Sequence, residues 1–500
     1  MTGRWVRALI AGMLLAVLLG SSMPGAVLAQ DASPLPSPAA AQRPDIVLLL
    51  LDDMPLMDDR VWDRLPTIRR LFLEQGVRFS DYSGNDPLCC PGRANLLTGQ
   101  WSHHHGVVRN DARLFDPRES IATELHDAGY WTGIFGKYFN ETVKLADPTP
   151  DGWDRSFIFG GNYYRYVALV DGQRVHFRDR RSDYSTTQVQ RHAIAALRAA
   201  RDSAQPRFLW LAPYAIHEGM DQAGVKHRDS VPLASDVGAP ACAGIAPWHT
   251  PAFDETDMSD KPAFLQGLPA LDPMPLRAPC ETLQSVDRML ARVLAELAAE
   301  GRPDPLVILT VDNGMAWGAH HWWPKFLSYT TPIPLFIHWP AVLGTDPVTI
   351  TTTVTNVDIA PTLCAIAGCA MGPYPNGFGV DGLSFLPVLL AKGGTLGREV
   401  IFEEHEDTTD NAVMVGWRGV RTTSEAAVGR WVYTEYATGE RELYDISGGP
   451  CWTWQAGDPG DPCELTNLAG DPAHAALEAR LAATVAAQET NPWRVLDAPP

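Results

Sequence analysis

Two short apolar runs constrain this chain more than any other feature. Residues 44–51 read Pro-Asp-Ile-Val-Leu-Leu-Leu-Leu and stop at Asp52-Asp53, while residues 306–311 read Leu-Val-Ile-Leu-Thr-Val and stop at Asp312-Asn313-Gly314. Uninterrupted runs of this length, rich in branched side chains, suit strands buried on both faces of a parallel sheet. Phe208-Leu-Trp-Leu-Ala212, leading to Pro213 and His217, is a third candidate. Ligands of open α/β sheets bind beyond the carboxyl ends of the strands. The echo between the two acidic stops therefore predicts four oxygen-bearing side chains at one edge of the sheet.

Around these strands, Leu283, Val286, Met289, Leu290, Val293, Leu294 and Leu297 recur at the three-and-four spacing of an apolar face, which predicts a helix over 281–300 packed on the sheet. Residues 219–280 are rich in Pro, Gly and Asp without periodicity and read as a long surface excursion that walls a pocket. Beyond about residue 390 the chain turns to short β-like pieces (399–403, 430–435, 442–445) and a helix near 472–488. The predicted fold class is α/β: a large, mostly parallel central sheet flanked by helices over residues 44–390, with a smaller α+β subdomain over 391–500.

The 45% hydrophobic content supplies a sizeable core, and 40 Lys+Arg against 59 Asp+Glu give a formal charge of −19. That excess of negative charge argues against a nucleic-acid partner. At the N-terminus, Arg4 and Arg7 precede an apolar run from Ala8 to Leu19, then Ser21, Pro24 and Val27-Leu28-Ala29. This is the layout of a secretory signal peptide over residues 1–29; the run is too short for the ~20 apolar residues of a membrane span. Its removal takes away two basic residues and no acidic one, which carries −19 to −21. Residues 30–43 read as a flexible Pro/Ser/Ala leader. The expected location is secreted, periplasmic or otherwise extracytoplasmic, with no membrane span. Export also places the eight cysteines where disulfides persist. Six of them form sequence-local couples (242/280, 364/369, 451/463), which is the expected pairing among 15 possibilities for six cysteines. Cys89 and Cys90 are adjacent and do not fit that pattern.

If Asp52, Asp53 and Asp312 share a site, each carboxylate pair ~4 Å apart repels by about 4 kcal/mol at an effective dielectric near 20. A cation relieves that repulsion. Together with Asn313 these groups offer only oxygen, which suits Ca²⁺, or less well Mg²⁺, rather than zinc or copper. Either acidic pair alone better suits a loop carboxylate capping a turn; their pairing at the ends of two strands favours the metal.

The segment Leu88-Cys89-Cys90-Pro91-Gly92-Arg93-Ala94-Asn95-Leu96-Leu97-Thr98-Gly99 contains Cys-x-Pro-x-Arg. It resembles the active-site signature of the type I, formylglycine-dependent sulfatases of the alkaline-phosphatase-like superfamily. In that family the first Cys is oxidised by a separate formylglycine-generating enzyme. Further segments follow in the family's order. Gly129-Tyr130-Trp131-Thr132-Gly133-Ile134-Phe135-Gly136-Lys137-Tyr138 is similar to the second signature, and Gly318-Ala319-His320 with Lys325 is similar to the Gly-Glu-His segment and its following Lys. Val357 to Leu363, Glu442 to Asp445 and Glu464 to Ala469 resemble segments that hold the parts of the fold together, so the likeness runs from about 44 to 490.

The resemblance implies a metal site of Asp52, Asp53, Cys89, Asp312 and Asn313, and catalytic residues Cys89, Arg93, Lys137, His217 and Lys325. An aldehyde at position 89 would hydrate to a diol, one hydroxyl of which attacks sulfur. The alcohol would leave with a proton from Lys325 or His217. The second hydroxyl would then lose its proton and expel sulfate. Arg93 and Lys137 would orient the diol and offset the sulfate charge. His103-His104-His105 lies where the family has a His-containing turn and is left out of the metal site.

One departure stands out. Many sulfatases have His two residues after the signature Lys, whereas Lys137 is followed by Tyr138, Phe139 and Asn140. His217, His320 or water must then take the proton route. This Gly-Lys-Tyr-x-Asn version, with Cys-Cys-Pro, resembles the N-acetylglucosamine-6-sulfatase branch and implies a sulfated sugar as substrate. A phosphodiesterase or phosphonate monoester hydrolase of the same fold is the alternative reaction. A non-catalytic exported glycan-binding protein with unmodified Cys89 is the alternative class.

Overall fold

The computed structural model describes residues 43–145, 147–406 and 415–487. The expected signal peptide (1–29) and leader (30–43), apart from Arg43, lie outside the described residues.

Ten strands form the central sheet: β1 (Ile46–Leu51), β2 (Val77–Phe79), β3 (Trp131–Lys137), β4 (Arg155–Phe159), β5 (Val167–Val170), β6 (Gln173–His176), β7 (Arg207–Ala212), β8 (Leu306–Val311), β9 (Leu335–His338) and β10 (Val348–Ile350). Their order across the sheet is β10-β2-β9-β8-β1-β7-β3-β4-β5-β6. The five strands at its centre, β8-β1-β7-β3-β4, are all parallel, and antiparallel pairings appear only toward the margins. β1 pairs with β8 from Ile46–Leu306 to Leu51–Val311. Every residue of β1, β3, β7 and β8 is buried, as continuous apolar runs demand of strands covered on both faces.

Because β1, β8, β3 and β7 run the same way, their carboxyl ends deliver Asp52-Asp53, Asp312-Asn313, Lys137 and the segment leading to His217 to one edge. Helix α1 (Cys89–Thr98) enters this edge, and all ten of its residues are buried. Helices α2 (Ser185–Ala199) and α3 (Arg277–Ala299) pack against one another beside the sheet. α3 covers the predicted helix as far as Ala299, with Leu283, Val286, Met289, Leu290, Val293 and Leu297 of its apolar stripe buried and Leu294 partly so.

Beyond the main sheet, β11 (Val400–His405), β12 (Trp417–Thr422), β13 (Trp431–Tyr436) and β14 (Arg441–Asp445) form an antiparallel meander against which helix α4 (Ala475–Ala486) packs. This C-terminal unit is anchored close to α1. Trp101 meets Phe402 edge-on at 4.9 Å, and the Glu404 N–H donates to the Asn85 carbonyl at 2.8 Å. The three expected disulfides, Cys242–Cys280, Cys364–Cys369 and Cys451–Cys463, are formed, and Cys89 and Cys90 are free thiols. Among the described residues no helix is long and apolar enough to cross a membrane.

Candidate active site

Two glycines let the elements of the site approach. A Cβ on Gly92 would lie 2.2 Å from the Asp312 carbonyl oxygen, so only glycine allows α1 to sit against the end of β8. Gly136 has φ +132°, and a Cβ there would lie 1.9 Å from the Ala212 carbonyl oxygen; this residue brings Lys137 to the edge beside β7. Asp53 itself adopts the left-handed region at φ 59°, which a short polar side chain tolerates best after glycine. The Asp52 N–H donates to the Ala215 carbonyl at 2.9 Å and the Ile216 N–H returns to the Asp52 carbonyl at 3.0 Å. Those two bonds place His217 over the acidic pair.

The convergence expected from the sequence is realised. Cys89 Sγ lies 3.8 Å from Asp52 Oδ1 and 3.8 Å from Asp53 Oδ1, and Lys325 Nζ donates to it at 2.8 Å. The Arg93 guanidinium spans the site, with Nε on Asp312 Oδ2 at 2.9 Å, Nη1 on the Lys137 carbonyl at 2.6 Å and Nη2 3.4 Å from Asp52 Oδ2. Lys137 Nζ pairs with Asp52 Oδ2 at 2.6 Å. Lys325 Nζ also contacts Asp53 Oδ1 and lies 3.4 Å from Asn313 Oδ1. Asn313 Nδ2 donates to Asp53 Oδ1 at 2.7 Å, and Asp312 Oδ1 accepts the Asp53 and Asn313 N–H groups at 3.2 and 2.8 Å. His217 places Nε2 3.2 Å from Asp53 Oδ2 and Nδ1 2.8 Å from both the Tyr214 hydroxyl and the Glu218 carbonyl.

Three carboxylates thus face three permanent cations in a buried volume. Burial raises Asp52 and Asp53, but the cations outweigh it: Lys137, His217 and Arg93 hold Asp52 below the usual carboxylate range, and Lys325, His217 and Lys137 hold Asp53 well below it. Asp312 goes the other way; burial and the Asp52 charge raise it against Arg93 and Lys137. Burial also raises the Cys89 thiol, to about 12, against the pull of Lys137 and Lys325. Unmodified, residue 89 is therefore a neutral thiol and a poor nucleophile near neutrality.

The cluster offers the donors of a metal site. Asp52, Asp53, Cys89 and His217 offer ligand atoms all within 4.8 Å of one another. The Lys325 ammonium is already held by Asp53, Asn313 and Cys89, three members of the expected ligand set, as a positive charge between two oxygens and a sulfur. His217 is closer to these ligands than its predicted role as a proton donor alone required.

Other predicted residues are placed elsewhere. His103 is paired to Glu404 at 2.7 Å, His104 to Asp381 at 2.8 Å, and His105 faces Asn95 at 3.1 Å, which accounts for the whole run without a metal. His320 is committed to Glu255 at 2.7 Å and stacks on Tyr329, so of the two substitute histidines His217 is the one facing the site. Asn140 packs its backbone N–H on Cys90 Sγ at 3.2 Å. Sequence reasoning did not single out Tyr214, nor the walls of the adjoining cavity of about 210 Å³, which include Arg228, Asp229, Trp317, Trp323 and Phe326 beside Asp53, His217 and Lys325. The 219–280 excursion does wall it, through Arg228 to Ser230 and Met274.

Chain and fold both have relatives. The sulfatase family model matches residues 44–369, and the chain belongs to that family. The class so defined is a hydrolase of sulfuric esters. Within it, the chain is 30% identical over 379 residues to the extracellular sulfatase SULF-1 homolog of Drosophila melanogaster, covering 71% of this chain but only 32% of that longer protein. It is 26% identical over 393 residues to N-acetylglucosamine-6-sulfatase of Homo sapiens, covering 74% of this chain and 68% of the human one. A protein solved in complex with its substrate D-glucosamine-2-N,6-O-disulfate shares the fold, with a TM-score of 0.69 at 20% identity over 90% of this chain and 99% of its own.

Proposed function

We propose that the chain is an exported hydrolase of sulfated sugars that uses formylglycine at position 89 and a Ca²⁺ ion, with residues 44–390 carrying catalysis and 391–500 completing the fold. One observation carries this reading: the thiol of Cys89, at the first turn of α1, faces both Asp52 and Asp53 at 3.8 Å and Lys325 at 2.8 Å. Ca²⁺ held by Asp52, Asp53, Asp312, Asn313 and residue 89 would supply charge compensation for the sulfate oxygens.

The chain's own residues then divide the work. Arg93, fixed by Asp312 and the Lys137 carbonyl, orients the side chain at position 89. Lys137 pairs with Asp52 at 2.6 Å, and the remaining N–H groups of its ammonium suit an incoming sulfate. His217 and Lys325, which line the cavity beside Asp53, would protonate the departing alcohol and take back a proton when sulfate is expelled. The hydrophobic and aromatic walls formed by Trp317, Trp323 and Phe326 fit the face of a sugar ring. Maturation would require a formylglycine-generating enzyme, a partner of this reading alongside the sulfate-ester substrate.

Mass spectrometry of the peptide containing residue 89, from protein made in a host that carries the maturation enzyme, tests it. Replacement of H₂S by one oxygen is expected. Assays of 4-methylumbelliferyl sulfate, N-acetylglucosamine 6-sulfate and an aryl phosphodiester on that material then rank the bonds cleaved. Preference for the phosphodiester would replace the sulfatase reading, and an unmodified thiol with glycan binding but no turnover would replace the enzyme.

A further inference from the structure

Every cation deep in the site is committed to a carboxylate. Arg93 and Lys137 pair with Asp52 or Asp312, and Lys325 and His217 with Asp53. Arg228, which lines the same cavity from the surface excursion, is different. On the turn that ends there, Lys226 is paired to Glu218 at 2.8 Å and His227 to Asp221 at 2.9 Å, whereas Arg228, exposed at the cavity, has no carboxylate within ion-pair distance among the described residues. Its neighbour Asp229 turns an oxygen to the Ser230 N–H at 2.7 Å instead. An uncommitted guanidinium at the mouth of a cavity, in a chain of charge −19, is the local exception to a field that repels anions. Its planar fork matches a sulfonate or carboxylate bidentately.

We propose that Arg228 is a specificity-determining residue: it binds a second anionic group of the substrate, so that the preferred ligand is a sugar sulfate bearing another sulfo or carboxylate group near the scissile ester. This rests on the sugar-sulfatase reading for its biological meaning. Trp317 and Trp323 wall the cavity against the ring, and the excursion brings Arg228 to the rim, where a substituent remote from Cys89 would lie.

The experiment is a comparison of affinities by calorimetry in calcium-loaded, full-length Cys89→Ala protein, which binds without turning over. The ligands are N-acetylglucosamine 6-sulfate, glucosamine 2-N,6-O-disulfate, and a uronic acid linked to N-acetylglucosamine 6-sulfate; the last two place the second anion on the same or the neighbouring ring. At least one dianion is expected to bind about tenfold or more tightly than the monoanion. Adding Arg228→Gln should bring that ratio to within about twofold, and Arg228→Lys should keep part of it. Lys226→Gln, which removes an exposed cation that is already paired, should leave the ratio in place. A ratio within about twofold in the parent, no measurable binding of either dianion, or a ratio that survives Arg228→Gln would overturn the proposal. Failure of wild-type protein with a converted residue 89 to hydrolyse 4-methylumbelliferyl sulfate would instead overturn the hydrolase reading, and the affinity ratio stays readable.

Discussion

The chain buries two clusters of carboxylates, and Asp52 and Asp53 in one behave oppositely to Glu442 and Glu464 in the other. At the carboxyl edge of the sheet, Asp52 and Asp53 are held ionised by Lys137, Lys325, His217 and Arg93. At the seam with the C-terminal sheet, Glu442 accepts from the hydroxyls of Tyr329, Tyr436 and Tyr444, the last two at 2.6 and 2.7 Å, and Glu464 lies 3.9 Å from Arg421. There burial dominates: Glu442 is raised, and Glu464 is pushed up to about 8 with Arg421 opposing and Glu442 and Glu403 adding to the rise. The same residue types are buried in both places. Neutral hydroxyls make a carboxyl a structural tie, whereas ammonium and guanidinium groups keep carboxylates charged, which is what a divalent ion or an arriving sulfate requires.

The comparison predicts that the first cluster fails chemically when disturbed. Cys89→Ala should remove turnover by about a thousandfold or more, because the nucleophile is gone. Its melting temperature should remain near that of the parent, since only a small buried group is lost. Residual aryl sulfatase activity within tenfold of wild type would deny residue 89 its role. Asp312→Ala comes next. It leaves the buried Arg93 without its shortest ion pair, 2.8 Å, which should cost about 3–5 kcal/mol in urea unfolding. Calcium affinity and activity should fall together; full metal occupancy in the variant would remove Asp312 from the ligand set.

The second cluster should fail by pH instead. Unfolded, Glu464 titrates near 4.5, and folded near 8. Between those values the folded chain keeps a proton that the unfolded chain has lost, so the stability this group contributes declines as pH rises through the window and is flat above it. The decline should be on the order of a few kcal/mol between pH 5 and 8. Glu464→Gln keeps the shape and removes the titration, so parent and variant should show different slopes of unfolding free energy against pH. Identical slopes would place Glu464 on a par with a solvated carboxylate and erase the contrast.

Much of the first cluster was legible beforehand because it is written in strands. Leu51 to Asp53 and Val311 to Asn313 combine a burial signal with a chemical one, and parallel pairing turns two local patterns into one place. The cysteine couples were legible for a similar reason, each closing a short loop. What escaped was set by long-range packing. β12 has no run of its own, since Trp417-Arg-Gly-Val-Arg-Thr422 reads as polar until β11 and β13 flank it. Arg228 lies about ninety residues before Trp317 and Trp323, on loops without periodicity, and only the folded excursion makes them neighbours of one cavity. Tyr214 could have been noticed, three residues before His217 and just past a buried strand, but nothing in its spacing marks a hydroxyl as a partner for imidazole.

That hydroxyl sets the smallest and most discriminating expectation. Both nitrogens of His217 face oxygen: Nε2 faces Asp53, and Nδ1 faces the Tyr214 hydroxyl and the Glu218 carbonyl. The ring can therefore donate on either side, and Tyr214 steadies its orientation without touching the reacting atoms. Tyr214→Phe removes one of two contacts at Nδ1, worth about 1 kcal/mol, so kcat/KM on a sugar sulfate should fall roughly fivefold. A nitrophenyl sulfate leaves as a stabilised phenolate and needs no proton, so its loss should be much smaller, and KM should hold for both. If the two substrates lose activity equally, His217 does not protonate the leaving alcohol, and Lys325, the other donor on the cavity side of Asp53, inherits that step.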